Sequence, residues 1–243
     1  MENNNKAFLW LNTKFILGLA LIISTIIGTY AFYQIRSFDN TLTVTGSTSK
    51  PVTSDHVRWV GSISRVVKLS TLKQGYTDMT SDLNTVQTFL KGKNIPVEQI
   101  ITSAVSMDQN YDQNYSAEKT YTLRQTIEVN SSDVALITDI AKNINPIIEK
   151  GVIFSTSSLE YTYTKLPEER VTMLADAIKD AKSRAASLAS ASGKKVGQLK
   201  SASSGVVQVM SVGSTDVADY GMYDTSKIEK NIMMTVKASF TLK

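Results

Sequence analysis

The sequence contains no cysteine and a single histidine, His56. The first absence excludes a disulfide framework, a thiolate zinc site, an iron–sulfur cluster and a cysteine nucleophile, and the second excludes any site that needs two imidazoles. Charge of one sign is also scarce, with 26 Lys and Arg against 22 Asp and Glu in 243 residues. Half of the net +4 comes from Lys6, Lys14 and Arg36 against Glu2. The remainder is too nearly neutral to give the electrostatic footprint of a nucleic-acid binder, so no DNA or RNA partner is expected. No repeat of fixed period is present, and no glycine-rich phosphate loop follows a strand pattern. At 42% hydrophobic and 20% charged residues, the chain can fold and bury a core.

One long hydrophobic run is present. Between Lys14 and Arg36 no charge interrupts FILGLALIISTIIGTYAFYQI. At about 1.5 Å per residue this run spans a hydrocarbon core of about 30 Å. A signal peptide cleaved near Ala31 is the competing reading, but a cleavable signal's apolar region is usually only about 7–15 residues long, which favours an uncleaved anchor. Lys6 and Lys14 on one side, against Arg36 alone beyond the run, orient the amino end to the cytoplasm. Trp10 at the near end and Tyr30, Phe32 and Tyr33 at the far end suit the two headgroup levels. The expected division is a short cytoplasmic segment 1–14, a single span 15–35 in the inner (cytoplasmic) membrane, and a domain 37–243 in the periplasm or outside the cell. The missing cysteines fit that compartment, though they fit the cytosol equally.

Beyond the span, residues 41–45 alternate as a strand expected to break at Gly46 and Pro51. From Val57 the apolar positions Val57, Trp59, Ile63, Val67 and Leu69 are all odd-numbered, the period of a half-buried strand, with Gly61 marking a bulge. The period then changes. Leu72, Tyr76, Met79, Leu83, Val86 and Leu90 recur at steps of four and three, predicting one helical face stopped at Gly92. Residues 100–107 and 119–129 predict a hairpin with a long polar tip. A helix over 133–144 closed by Pro146, and a strand over 152–164, follow. Pro167 opens an alanine-rich helix whose expected stripe is Val171, Leu174, Ile178, Ala181, Ala185 and Leu188, capped by Gly193. Strands over 196–212 and 228–242 close the chain.

The predicted class is α+β. Its middle, β-α-β-β-α-β, has the order of a split βαβ antiparallel sheet with helices on one face. The third helix and the last strand pair either extend that sheet or form a second lobe.

The opening strand with Val44-Thr45-Gly46, the run LPEERVTMLADAIKDAKSRAASLASASGKKVGQL and the closing strand ending Ala238-Ser239-Phe240-Thr241-Leu242 together resemble the SIMPL domain family over residues 40–243. That family comprises bacterial envelope proteins, periplasmic or membrane-anchored. They include an outer-membrane-associated immunogenic antigen whose members assemble into large rings or channel-like oligomers. The resemblance implies an envelope location and a self-associating domain, and it brings no catalytic motif. Family members usually open with a Val-Thr-Gly-Glu-Gly-like turn; here Ser47-Thr48 follows Gly46, so the acidic turn is missing.

The chemistry-bearing residues form no complete set. His56 lies on a strand's polar face with no identified nucleophile. Ser-x-x-Lys occurs at Ser47/Lys50, Ser70/Lys73, Ser116/Lys119 and Ser192/Lys195, the frequency of coincidence in a chain rich in both residues. Asp108, Asp112 and Glu118 lack the calcium-loop spacing. No catalytic, cofactor or metal residues are therefore assigned. The aromatic tips are the candidate interface: Tyr111, Tyr115 and Tyr121 on the hairpin, and Tyr220, Met222 and Tyr223 on the late loop. The leading expectation is a non-enzymatic anchored protein that forms a homo-oligomer through edge strands or these loops, in a structural, scaffold or channel-like role. The alternative is a stress-signalling module that binds another envelope protein.

Overall fold

The computed structural model describes residues 3–37, 40–111, 118–214 and 219–243. It opens with one long helix, α1 (Asn3–Ser37). Within it, Lys14–Gln34 is exposed throughout and long and apolar enough to cross a membrane, a property that anchors and signal sequences share. Its serine and threonine hydroxyls are satisfied inside the helix. Ser24 and Thr25 both donate to the Leu21 carbonyl, and Thr29 donates to that of Thr25. Such internal pairing is what a hydrocarbon environment requires.

The remaining elements are β1 (Thr41–Thr53), β2 (His56–Lys68), α2 (Leu72–Gly92), β3 (Ile100–Thr102), β4 (Ser106–Asn110), β5 (Thr120–Ser131), α3 (Val134–Lys142), α4 (Asn145–Ile148), β6 (Phe154–Thr162), α5 (Leu166–Ala191), β7 (Val196–Ser211) and β8 (Glu229–Leu242). The fold is α+β, as the hydrophobic periods predict. Two compact units emerge: Met1–Thr48, Leu174–Gly205 and Thr235–Lys243 make the first, and Ser49–Met173 with Val206–Met234 the second.

The second unit holds the split βαβ sheet, in the order β3-β5-β2-β6 with β4 also on β5. β2 and β5 pair antiparallel without a slip from Val57↔Ser131 to Lys68↔Thr120. That register puts Val57, Trp59 and Ile63 on the same buried face as Leu123, Ile127 and Val129, packed with Met79, Val86 and Leu90 of α2 and Ile137 and Ile140 of α3. Burial of each such side chain contributes about 1.5–3 kcal/mol. The expected bulge at Gly61 is present: the β2–β6 register shifts between Val60 and Gly61. A Cβ on Gly61 would stand 2.2 Å from the Phe154 ring, which itself meets Trp59 edge-on at 5.8 Å between centroids.

Several boundaries differ from the sequence reading. The buried stripe of α2 is Gly75, Met79, Asp82, Val86 and Leu90, while Tyr76 turns outward. Two contacts explain that rotation. Gly75 lets the helix settle against Val67 and Leu123, and Arg65 draws the Asp82 carboxylate inward through bonds of 2.5 and 2.8 Å. α2 ends at Gly92 as expected, but the left-handed residue that closes it is Asn94 (φ 61°). The strand over 100–107 is interrupted after Thr102, because Ser103 turns its hydroxyl to the Thr126 N–H and its carbonyl to the Gln125 amide. Pro146 opens the short helix α4 instead of ending α3, consistent with proline's fit to a first turn.

In the first unit, α5 lies against β1 and β8, in a sheet of order β1-β8-β7. The buried residues are Ala177, Ala181 and Ala185 against Val44, Val236, Ala238 and Phe240. Val171 and Leu188, expected inside, are 73% and 54% exposed. The reason is a spacing of four: the alanines stack in one row, and Gly46 receives them. A Cβ at Gly46 would meet the Ala177 carbonyl at 2.2 Å and the Ala181 nitrogen at 2.4 Å. β1 therefore continues through Gly46 and through Pro51, whose missing N–H an edge strand tolerates. Asp180 adds a polar tie by accepting the Ser47 N–H at 2.8 Å.

Gly46→Ala is expected to destabilise the protein by roughly 2 kcal/mol or more, because helix backbone must move. Leu188→Ala on the exposed face should stay within about 0.5 kcal/mol. Urea denaturation of both variants checks this.

Candidate functional site

The predicted interface residues separate into two kinds. Tyr111 and Tyr220 are 92% and 91% exposed. Tyr115 lies outside the described residues. Tyr121 is not on the tip: it sits within β5, opposite Val67 on one side and Gln109 on the other, and is half-buried. No hydrogen bond or ring contact among the described residues joins the hairpin tip to the late loop.

Met222 and Tyr223 belong to a bridging segment. The Val209 N–H donates to the Met222 carbonyl and the Asp224 N–H to the Val209 carbonyl, fastening the segment to β7. On its other side, Tyr161 N–H donates to the Thr225 carbonyl and Tyr163 N–H to the Tyr223 hydroxyl, both against the end of β6. The segment thus occupies an edge of β6 that would otherwise be open.

Lys230 locks this segment from beneath. It is fully buried; its ammonium donates to the Asp224 carbonyl and, at 2.7 Å, to that of Lys227, and lies 5.7 Å from the Tyr223 ring centre. Burial pulls its pKa below the usual lysine range, partly opposed by the Asp224 charge. The Ser226 N–H and the Ser226 and Ser211 hydroxyls hold the Asp224 carboxylate below its ordinary value. Lys230 carries a signal in the sequence. It falls on the same even-numbered face as Ile232, Met234, Val236, Ala238 and Phe240, all of them buried.

A second surface is the edge of β7. Residues 198–206 are exposed at every position, hence on both faces. The bridging segment covers the strand at Val209, and among the described residues no strand lies beyond 198–206 on the side away from β8. Small side chains dominate this stretch, from Ser201 to Gly205.

Elsewhere, several charged groups are engaged with one another. Arg58 spans β5, β2 and β6 by binding Glu128 at 2.5 Å and Glu160 at 3.2 Å, which raises its own pKa and lowers that of Glu128. Glu118 is committed to Lys68 and Ser70, and Asp112 lies outside the described residues. Of the Ser-x-x-Lys serines, Ser70 donates to Glu118 and Ser192 to the Ala189 carbonyl, whereas Ser47 accepts from Arg184 and Ser116 is not described.

The order of elements, the alanine-packed α5 and the closing strands coincide with one family profile. Described as SIMPL, a protein of unknown function (DUF541), it matches residues 42–241. The chain belongs to the SIMPL family. The SIMPL match begins at the second residue of β1 and ends one residue before the end of β8, leaving α1 outside. No curated protein matches the chain.

Lys230→Met should cost about 3 kcal/mol in urea denaturation, since two carbonyls lose their donor. Tyr220→Ala should change stability by less than about 0.5 kcal/mol. Asp224, with its pKa depressed in the fold, contributes stability that is complete above the unfolded value and lost as pH falls through the folded one. Acid titration of Asp224→Asn should therefore show a shallower loss of stability below the ordinary aspartate pKa of 3.8.

Proposed function

We propose that this SIMPL protein is a non-enzymatic envelope component, held by α1 in the inner membrane with its amino end in the cytoplasm, whose outer domain self-associates through the edge of β7. The observation that carries the reading is the exposure of residues 198–206 on both faces. Ordering each residue costs about 1–2 kcal/mol of backbone entropy, and a strand that buries neither face recovers little of it within one chain. The usual edge protections are also thin here. No proline, no acidic residue and only one lysine, Lys200, fall within the stretch. Pairing with a second copy supplies the missing hydrogen bonds.

The geometry of pairing sets the outcome. β7 against β7 of another copy is isologous and ends at a dimer, whereas β7 against the opposite edge, β1, is heterologous and propagates until a ring closes. A second reading, docking of a different envelope protein, draws on Tyr111 and Tyr220, whose rings stand almost wholly in solvent.

Light scattering on the detergent-solubilised full-length chain should give a discrete multiple of the 26.7 kDa protomer. The double substitution Ala202→Lys with Ser204→Lys, which sets like charges along the edge, should reduce it to a monomer without lowering the unfolding midpoint by more than a few degrees. A wild-type monomer at all micromolar concentrations would sink the proposal.

A further inference from the structure

The bridging segment locked by Lys230 also walls a cavity of about 590 Å³ in the second unit, between α3, the end of β6, the end of β7 and the start of β8. That volume falls in the range of small-molecule sites. Its chemistry follows from counting protons on the lining hydroxyls.

Thr138, buried in the floor, donates its only hydroxyl proton to the Val134 carbonyl at 2.6 Å. Tyr161, also buried and 3.0 Å away, must then be the donor between the two. Its oxygen keeps only lone pairs to offer. The Ser226 N–H donates to the Asp224 carboxylate at 2.7 Å, and the Ser211 and Ser226 hydroxyls line the cavity beside it. Of the four lining hydroxyls, Tyr161 is thus left as an acceptor, and the Ser211 and Ser226 oxygens add acceptor capacity beside it.

The charges on the wall have the opposite character. Lys142 and Lys227 line the cavity, and among the described residues neither has a carboxylate within 4 Å. Glu229, the one acid lining it among the described residues, accepts from the Thr53 hydroxyl through both oxygens, at 3.0 and 3.1 Å. Lys230 lies outside the lining and fixes the loop from Asp224 to Lys227 in place. The wall is therefore preformed, with its cations unspent.

We propose that this cavity binds a small organic acid bearing its own hydroxyl or amino donors, with the donors on the Tyr161, Ser211 and Ser226 oxygens and the acid between Lys142 and Lys227. A simple anion fills only half of this pattern, and a neutral polyol only the other half.

Isothermal titration of the full-length protein in detergent tests it with four probes at millimolar concentration: gluconate and glutamate, which carry both features, acetate, which carries only the charge, and sorbitol, which carries only the donors. Gluconate or glutamate should bind saturably at one per chain and at least about tenfold tighter than acetate or sorbitol. Lys142→Gln with Lys227→Gln should weaken that binding at least about tenfold while leaving the ligand-free unfolding midpoint unchanged. The proposal is overturned if neither two-feature probe binds, if acetate or sorbitol matches them, or if the double substitution leaves binding intact.

Discussion

A helix approaches a sheet only as closely as the side chains between them permit, and both units are built near that limit. In the larger unit Gly75 of α2 rests against Val67 and Leu123; in the smaller, Gly46 of β1 takes the backbone of α5 between Ala177 and Ala181. The second contact has the wider consequence. A row of alanine methyls buries little beyond Val44, Val236, Ala238 and Phe240, so the cover that α5 provides falls on β1 and β8. β7 extends from this narrow core with both faces in solvent over residues 198–206. The thin helix and the bare strand are two sides of one packing choice.

Most of the fold was legible because period and burial agree. The odd-numbered positions of β2 and β5, the six-residue stripe near α2 and the closing alternation of β8 each define an element with its inward face. Legibility failed where backbone contact overrode side-chain volume. Val171 and Leu188 look like core residues beside Ala181 and Ala185, yet the row of alanines wins because Gly46 lets the helix descend onto it. Likewise Tyr76 yields its inward place to Gly75 and to Asp82, whose charge is compensated by Arg65. Pro51 signals a break only if its strand has neighbours on both sides, and a sequence pattern does not reveal which strand is an edge.

The interface residues were less legible than the fold. Six aromatic and methionine positions look alike in the sequence, but they divide by hydrogen bonding. Tyr111 and Tyr220 reach solvent, whereas Tyr223 holds β6 through its hydroxyl and shields Lys230 with its ring. Lys230 was readable from its parity in β8 alone, since a lysine in a row of buried residues must find carbonyls or leave the row. Its ammonium, the Asp224 carboxylate and two serines make the late loop a fixed wall between two sheet edges. A loop with that many internal ties is suited to present a fixed surface, which is how the ligand cavity uses it.

The bare edge of β7 is the central claim, and backbone protection reports on it directly. Amide hydrogen exchange across residues 198–206, measured on the assembled protein and again after dilution to the dissociated state, separates a paired strand from an open one. The account predicts strong protection in the assembly that is lost on dissociation, while β2 and β5 stay protected in both. Equal exchange of residues 198–206 in the two states would contradict it and leave that edge without a role in assembly.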